Sequence, residues 1–373
     1  MSHSVEGPFP DSAPSAGSNA TDPQVVILVP CYNDWTALRL LLADLDAILH
    51  REGLRARVLV IDDGSPQAPE ADFPGRDFQA LDRIDVLELR RNLGHQRAIA
   101  VGLAYVDQNL PCRALVLMDS DGEDAPADVP RLLAKFEQEE ARKIIFAERT
   151  RRSESWVFIL FYMLYKALHI VLTGYAVRVG NFSVIPGARL SNLAVVSEVW
   201  NHYPAAVFRS QQPMAFLPTQ RARRLAGQSR MNFVRLVAHG LSAISVYSDI
   251  IGVRLLMATT VLMALALCGV VAVTTVRLAT TLAIPGWATN ALGLMLVILL
   301  QAVMLSVIFS FIILGSRQGT TFLPCRDYIY FVGDFKPVWR PAASRSGPWP
   351  RPRVLSRESA GPGREPPYPP EYP

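Results

Sequence analysis

Two long uncharged runs limit what this chain can fold into. Leu255–Val276 and Asn290–Ser316 contain no Asp, Glu, Lys or Arg. A helix of about 22 residues is roughly 33 Å long, enough to cross the hydrocarbon core of a bilayer and longer than a soluble core helix ordinarily needs. Arg254 and Arg277 bound the first run and Arg317 closes the second, while the polar Gln301 is tolerable if it faces a partner helix. We therefore expect a transmembrane hairpin over residues 254–317, with spans at 255–276 and 290–316. Arg221, Arg223, Arg224, Arg230, Arg235 and Arg254 precede it, Arg317, Arg326, Lys336 and Arg340 follow it, and only Arg277 lies between the spans. Basic flanks stay on the cytoplasmic side. Both termini are accordingly expected in the cytoplasm of a multi-pass inner-membrane protein.

The rest of the chain is long enough for one sizeable α/β domain, since half of the 373 residues are hydrophobic. A net charge of +4 gives no reason to expect a nucleic acid partner. Cys31, Cys112, Cys268 and Cys325 have neither metal-ligand nor disulfide-framework spacing, as suits a reducing compartment. Residues 1–23 are rich in Ser, Pro, Ala and Gly and lack the apolar core of a signal peptide, so they are expected to be a disordered tail. Residues 318–373 are expected to be a cytoplasmic, largely disordered Pro/Arg-rich tail.

From Gln24 onward apolar strand-like runs alternate with amphipathic helical ones. "QVVILVP", "ARVLVID", "IDVLELR", "ALVLMD" and "KIIFAER" read as strands, with helices over about 35–50, about 95–108 and after Pro126. Such alternation implies a parallel sheet wound with right-handed crossovers, whose ligands bind at the carboxyl ends of the strands. Those ends read "PCYND", "DDGS", "RNLGH" and "DSDGED". Turn chemistry explains one such segment; four in succession point to a site. Asp119, Asp121, Glu123, Asp124 and Asp128 repel one another where the fourth strand stops, which suggests a cation among them. Asp124 and Asp128 are expected at a helix start, facing its positive end.

The combination "VPCYND", "VIDDGS", "RNLGHQRAIAVGL", "MDSDGEDAP" and "RLAGQSRMNF" resembles family 2 glycosyltransferases of the GT-A fold. The likeness is to the membrane-tethered branch with dolichyl-phosphate mannose synthase and polyprenyl-phosphate glycosyltransferases, and it covers about residues 24–316. It implies a Rossmann-like, mostly parallel catalytic domain over 24–230 that uses a nucleotide sugar. Pro30, Tyr32, Asp34, Asp62 and Asp119 would then hold the nucleotide sugar, Asp34 standing where the family commonly has glutamate. Asp119, Asp121 and Glu123 would hold a divalent cation, Mg or Mn, against the diphosphate; several relatives have glutamine at the position of Glu123. Arg224, Gly227, Ser229 and Arg230 match the family segment R-x-x-G-x-S-K, with arginine in place of its final lysine.

The resemblance also implies an inverting hexosyl transfer to a polyprenyl phosphate at the cytoplasmic membrane face. Asp119, Asp121, Arg224 and Arg230 are the expected catalytic residues, and Arg149, Arg152, Ser229 and Arg230 the expected acceptor-phosphate ligands. An apolar helix over about 155–173 and an amphipathic one over 231–253 are expected to lie at the interface. His169 and His239 read as packing residues there, and Glu198 as a weak candidate base. Two other readings remain open, a polysaccharide synthase acting on a hydroxyl and a non-catalytic membrane scaffold of a glycan pathway. The sugar, its nucleotide and a homo-oligomeric state stay open too.

Overall fold

The computed structural model describes residues 25–70, 73–149, 167, 169–174, 179–227, 233–279, 286–318 and 322–341. The expected tails at 1–23 and 342–373 and most of the helix expected at 155–173 lie outside them. Strands β1 (Val25–Cys31), β2 (Ala56–Asp62), β3 (Leu81–Leu89), β4 (Ala114–Leu117) and β5 (Ile144–Arg149) fall where the apolar runs predict. Helices α1 (Trp35–Arg51), α2 (His95–Asn109) and α3 (Asp128–Gln138) separate them. The two central strands show why the runs are continuous rather than alternating. Ile27 and Val29 face one core layer while Val26 and Leu28 face the other, and Val58 and Val60 oppose Leu59 and Ile61 in the same way. A strand covered on both faces has no polar side to show.

With β6 (Ser183–Pro186), β7 (Met214–Thr219) and β8 (Val332–Trp339), the described residues form one eight-stranded sheet in the order β7-β5-β6-β4-β1-β2-β3-β8. Pairings of β1 with β2 and β4, β2 with β3, and β5 with β7 are parallel. Three pairings are antiparallel, so the sheet is mostly but not wholly parallel, as the resemblance implies. β6 inserts between β4 and β5, and β8 closes the edge beside β3. Short helices α4 (Leu190–Ala194) and α5 (Tyr203–Arg209) follow β6 and precede β7.

β8 corrects the expectation of a largely disordered segment after the second span. Trp339 packs edge-on against Phe78 with centroids 5.0 Å apart, and Phe335 stacks on Tyr105 at 5.8 Å. Lys336 pairs with Glu88, and Arg90 Nε donates to the Val332 carbonyl at 2.9 Å. Pro337 is tolerated because β8 is an edge strand. Its neighbour in register, Asp85, is fully buried between Arg57 and Arg83, each at 2.7 Å.

The expected interfacial helix 231–253 is broken in two. α6 covers Phe233–Ser245; Val246 and Tyr247 then turn inward, the Tyr247 hydroxyl donating to the Ala205 carbonyl at 3.2 Å. Residues 248–253 instead begin α7 (Ser248–Ala279), which pairs with α8 (Trp287–Gln318). Gly252 meets Ile313, Thr259 accepts from Ser306 at 2.8 Å, and Gly269 meets Met295, so the helices run antiparallel. Both are long and apolar enough to cross a bilayer, with only 11% and 6% of their most apolar stretches buried. Leu265, Leu294 and Phe311 are more than half exposed, an arrangement that suits lipid rather than water. The short α9 (Pro324–Asp327) then leads the chain back to the sheet as β8.

Candidate active site

Register brings the strand-end residues together. Cys31 lies opposite Asp62 across β1 and β2, and the Met118 amide donates to the Leu28 carbonyl at 3.2 Å, so the segments beginning at Tyr32, Asp62 and Asp119 open along one edge. Pro30 is buried in β1 and Tyr32 presents a 40% exposed ring just beyond it. Asn33, at φ +50°, turns the chain; its amide donates to Ser65 Oγ at 2.8 Å and its Oδ1 accepts from the Gln67 amide at 3.2 Å. Asn tolerates that left-handed conformation because its short amide can bond locally.

Asp62 is buried and accepts from the Ser65 amide at 3.0 Å. Burial raises its pKa, although the Ser65 bonds oppose the shift. Gly64 allows this turn at φ +66°; a Cβ there would stand 2.5 Å from the Arg91 carbonyl carbon. Asp63 accepts from the amides of Leu93 and Gly94 at 2.7 and 2.9 Å, fixing the entry into α2 and hence His95. Burial raises the Asp63 pKa as well.

The D-x-D loop is braced from within and from outside. The Asp119 amide donates to Asp124 at 3.0 Å, so buried Asp124 positions Asp119 rather than marking a helix start. Asp128 does open α3, as expected, and pairs with Arg131. Gly122 turns the loop at φ +80° with Leu225 lying across it; a Cβ would meet that side chain at 2.4 Å. The amides of Ala222 and Leu225 donate to the carbonyls of Glu123 and Asp121 at 3.0 and 2.9 Å, so residues 221–227 dock along the loop.

Charges complete that docking. Arg224 Nη1 donates to Asp121 at 3.0 Å, Nη2 pairs with Asp34, and Nε donates to the Ala226 carbonyl at 3.0 Å. Arg221 pairs with Glu123. Asp119 faces the His95 ring, Nε2 lying 3.1 Å from Oδ1. Desolvation opposes protonation of His95, but the carboxylates of Asp119, Asp124 and Asp63 together outweigh it and raise the pKa. Burial raises the Asp121 pKa too, with Asp119 and Glu123 adding to the shift and Arg224 opposing it. Asp119, Asp121 and Glu123 share one loop, but among the described residues no three His, Cys, Asp or Glu side chains converge as a ready metal cage.

Of the residues expected to bind an acceptor phosphate, Arg149 ends β5 opposite Thr219 of β7. Arg152, Ser229 and Arg230 lie outside the described residues, as does the His239 side chain. His169 is buried against Tyr247, ring centroids 6.2 Å apart, the packing position expected. Glu198 pairs with Arg209, which also holds Asp249 in the first turn of α7. Glu198 thus helps fasten the domain to the hairpin through Arg209. The sequence reading assigned no role to His95 or Asp63; the strand-end segments "RNLGH" and "DDGS" carried the available signal.

Residues 26–182 match the family model described as Glycosyl transferase family 2. The chain is 24% identical over 220 residues to an undecaprenyl-phosphate 4-deoxy-4-formamido-L-arabinose transferase of Enterobacter sp. (strain 638), covering 57% of this chain and 64% of that one. It is 27% identical over 136 residues to the uncharacterized glycosyltransferase YkcC of Bacillus subtilis (strain 168), covering 36% and 40%. The alignments thus span less than two thirds of each curated relative. Among solved structures it is similar to mannosyl-3-phosphoglycerate synthase from Rubrobacter xylanophilus, with TM-score 0.44, 15% identity and coverage of 60% and 72%. It is also similar to glucosyl-3-phosphoglycerate synthase from Mycobacterium tuberculosis, with TM-score 0.43, 17% identity and coverage of 62% and 79%.

Proposed function

Because residues 26–182 match the model of glycosyl transferase family 2, we propose that this chain moves one sugar from a nucleotide-sugar donor to a polyprenyl phosphate at the cytoplasmic membrane face, with inversion. One observation carries the reading: an acid-lined strand-end cleft is fastened, through Arg209 and Asp249, to two helices of bilayer length. The undecaprenyl-phosphate transferase among the relatives supports a lipid phosphate as acceptor. The return of the chain from α8 into β8 supports one side of the membrane for both flanks of the hairpin, the side of the catalytic sheet.

In this reading Asp62 accepts from the ribose hydroxyls and the exposed Tyr32 ring offers a face to the base, with Pro30 and Asp34 completing that wall. The donor set suits a hard cation, since Mg²⁺ or Mn²⁺ commonly takes only one or two carboxylates and fills its shell with phosphate oxygens and water. Asp119 and Asp121 would hold it, with Glu123 beside them, and it would neutralise charge developing on the leaving nucleoside diphosphate. Arg224 already bridges two acids of the cleft and supplies a second positive charge there. Arg149, Arg152, Ser229 and Arg230 would take the acceptor phosphate. A phosphate monoester is anionic at neutral pH and attacks the anomeric carbon directly, so a strong general base is unnecessary and a single displacement inverts that centre.

The test is a panel of nucleotide sugars given to the purified full chain with undecaprenyl phosphate and Mn²⁺. A single glycosyl phosphate lipid of inverted anomeric configuration is the expected product. Transfer only to hydroxyl acceptors, or repeated addition, would replace the reading with polysaccharide synthesis; no turnover with any donor would favour a scaffold.

A further inference from the structure

Both ends of the hairpin that face the catalytic sheet converge on one short segment of the domain. Glu198, in the single helical turn Ser197–Trp200, pairs with Arg209, which holds Asp249 in the first turn of α7. Two residues on, the Trp200 ring lies 3.8 Å, centroid to centroid, from that of Phe322. Phe322 follows Gln318, the last residue of α8, by four positions, so it lies within about 14 Å of that helix end. Because α7 and α8 run antiparallel, Asp249 and Gln318 mark the same boundary of the membrane, and Trp200 sits beside it. Phe331 completes an aromatic cluster there, 5.0 Å from Trp200 and 5.7 Å from Phe322. Two exposed arginines border the rings. Arg97 sets its guanidinium over Trp200 at 5.2 Å, and Arg90 donates through its amide to the Phe331 carbonyl and through Nε to the Val332 carbonyl, both at 2.9 Å. Among the described residues no carboxylate pairs with either arginine. The acids nearby are already compensated, Glu198 and Asp249 by Arg209, and Asp327 by Arg326. Two cations therefore stand in excess around an aromatic cluster at the foot of the hairpin.

Aromatic rings collect at the headgroup level of a bilayer, where one part of the ring meets apolar chains and another meets water. Arginine grips phosphate through its planar fork and stacks on aromatic faces, and the cytoplasmic leaflet carries the anionic lipids that attract such groups. We propose that Arg97 and Arg90, around Trp200, Phe322 and Phe331, form a headgroup site for an anionic phospholipid of the cytoplasmic leaflet. The two guanidinium groups take its phosphate and the rings carry its glycerol backbone. Arg97 belongs to the first turn of α2, two residues from His95, so a lipid held there also fixes how the strand-end cleft faces the leaflet. The inference rests on the reading of the hairpin as membrane-spanning with its flanks in the cytoplasm, and is independent of the sugar transferred.

The test uses the full chain in detergent micelles doped with equal amounts of phosphatidylglycerol and phosphatidylcholine, its bound lipids counted by native mass spectrometry. Phosphatidylglycerol should be retained preferentially. An arginine near a membrane surface changes anionic-lipid binding by about fivefold, so Arg97→Gln or Arg90→Gln should lower the preference by about that factor and the double variant by about twenty-five-fold. Arg97→Lys, which keeps the charge, should retain more of the preference than Arg97→Gln. Arg277→Gln, at the opposite end of α7, should leave it unchanged. Equal retention of the two lipids, an unchanged preference in the double variant, or an equal loss in Arg277→Gln overturns the site. Undecaprenyl phosphate that displaces phosphatidylglycerol at equal concentration from the wild type, with no such competition in the double variant, also overturns it and makes the two arginines part of an acceptor site. A reporter inserted near Pro285 tests the hairpin separately. A hairpin that does not span the membrane overturns both readings, whereas an inserted hairpin without preferential retention overturns only the headgroup site.

Discussion

Replacing Arg224 by Gln should separate two quantities that usually move together, metal affinity and turnover. The Arg224, Asp34 and Asp121 side chains are only 21%, 20% and 18% exposed, so their contacts are largely sheltered from water. A charge-assisted bond in such a place contributes about 1–2 kcal/mol net, less than for full burial and more than for a surface pair. Losing both should cost the ligand-free domain about 2–3 kcal/mol. At about 2–4 °C per kcal/mol for a domain of this size, the midpoint of thermal unfolding should fall by about 4–12 °C. The two carboxylates are then left without their internal cation, so Mn²⁺ alone should bind more tightly, by about fivefold for each kcal/mol of repulsion it relieves. Transfer should nonetheless fall by about a hundredfold, because residues 221–227 lose their charged attachment to the D-x-D loop and one electrostatic stabiliser leaves the cleft. Arg224→Lys keeps the charge but not the fork that reaches both acids, and should fall between. Calorimetric Mn²⁺ titration beside single-turnover transfer reads both quantities. An unchanged unfolding midpoint, or weaker Mn²⁺ binding in Arg224→Gln, would refute the assignment of Arg224 as the resident counter-charge of the site.

Asp119→Ala or Asp121→Ala should lower transfer by at least about a hundredfold with the protein still folded in the membrane, and EDTA should do the same reversibly; near-normal turnover in either variant removes its role. Asp85→Ala strands the buried Arg57 and the half-buried Arg83 and should cost about 3–5 kcal/mol, measured by denaturant unfolding, with the strand-end acids untouched. A reporter inserted near Pro285 should read outside the cytoplasm and one after Pro373 should read inside; the reverse would separate the cleft from cytoplasmic donors.

What could be read from the sequence was what lies close together along it. β1 to β5, α1 to α3, the strand-end loops and the two bilayer-length helices each announce themselves within a window of a few turns, through apolar periodicity or a cluster of turn-forming and acidic residues. Features that pair distant segments were hidden. Arg224 meets Asp34 across 190 residues, and His95 is oriented by side chains and backbone at 96, 181 and 203. No local pattern distinguishes these from ordinary polar positions. β6 is a short apolar segment whose antiparallel direction depends on how the chain re-enters the sheet. β8 contains Gly333, Asp334 and Pro337, which argue locally against a strand, and it forms because Trp339 and Phe335 find aromatic partners already in place.

That β8 follows the hairpin also bears on how the protein is made. The edge of β3 waits, uncovered, while α7 and α8 are synthesised and inserted, since its partner emerges some 240 residues later. An open edge of this kind is a template for pairing with another chain, and closing so long a loop is slow. Insertion and completion of the sheet should therefore be sequential, with the membrane step first. A version cut before Ser248 to make a soluble enzyme would keep the catalytic loops but expose Phe78, Tyr105 and the β3 edge, inviting self-association. Supplying residues 322–341 by a short linker after residue 247 should restore solubility where simple truncation does not.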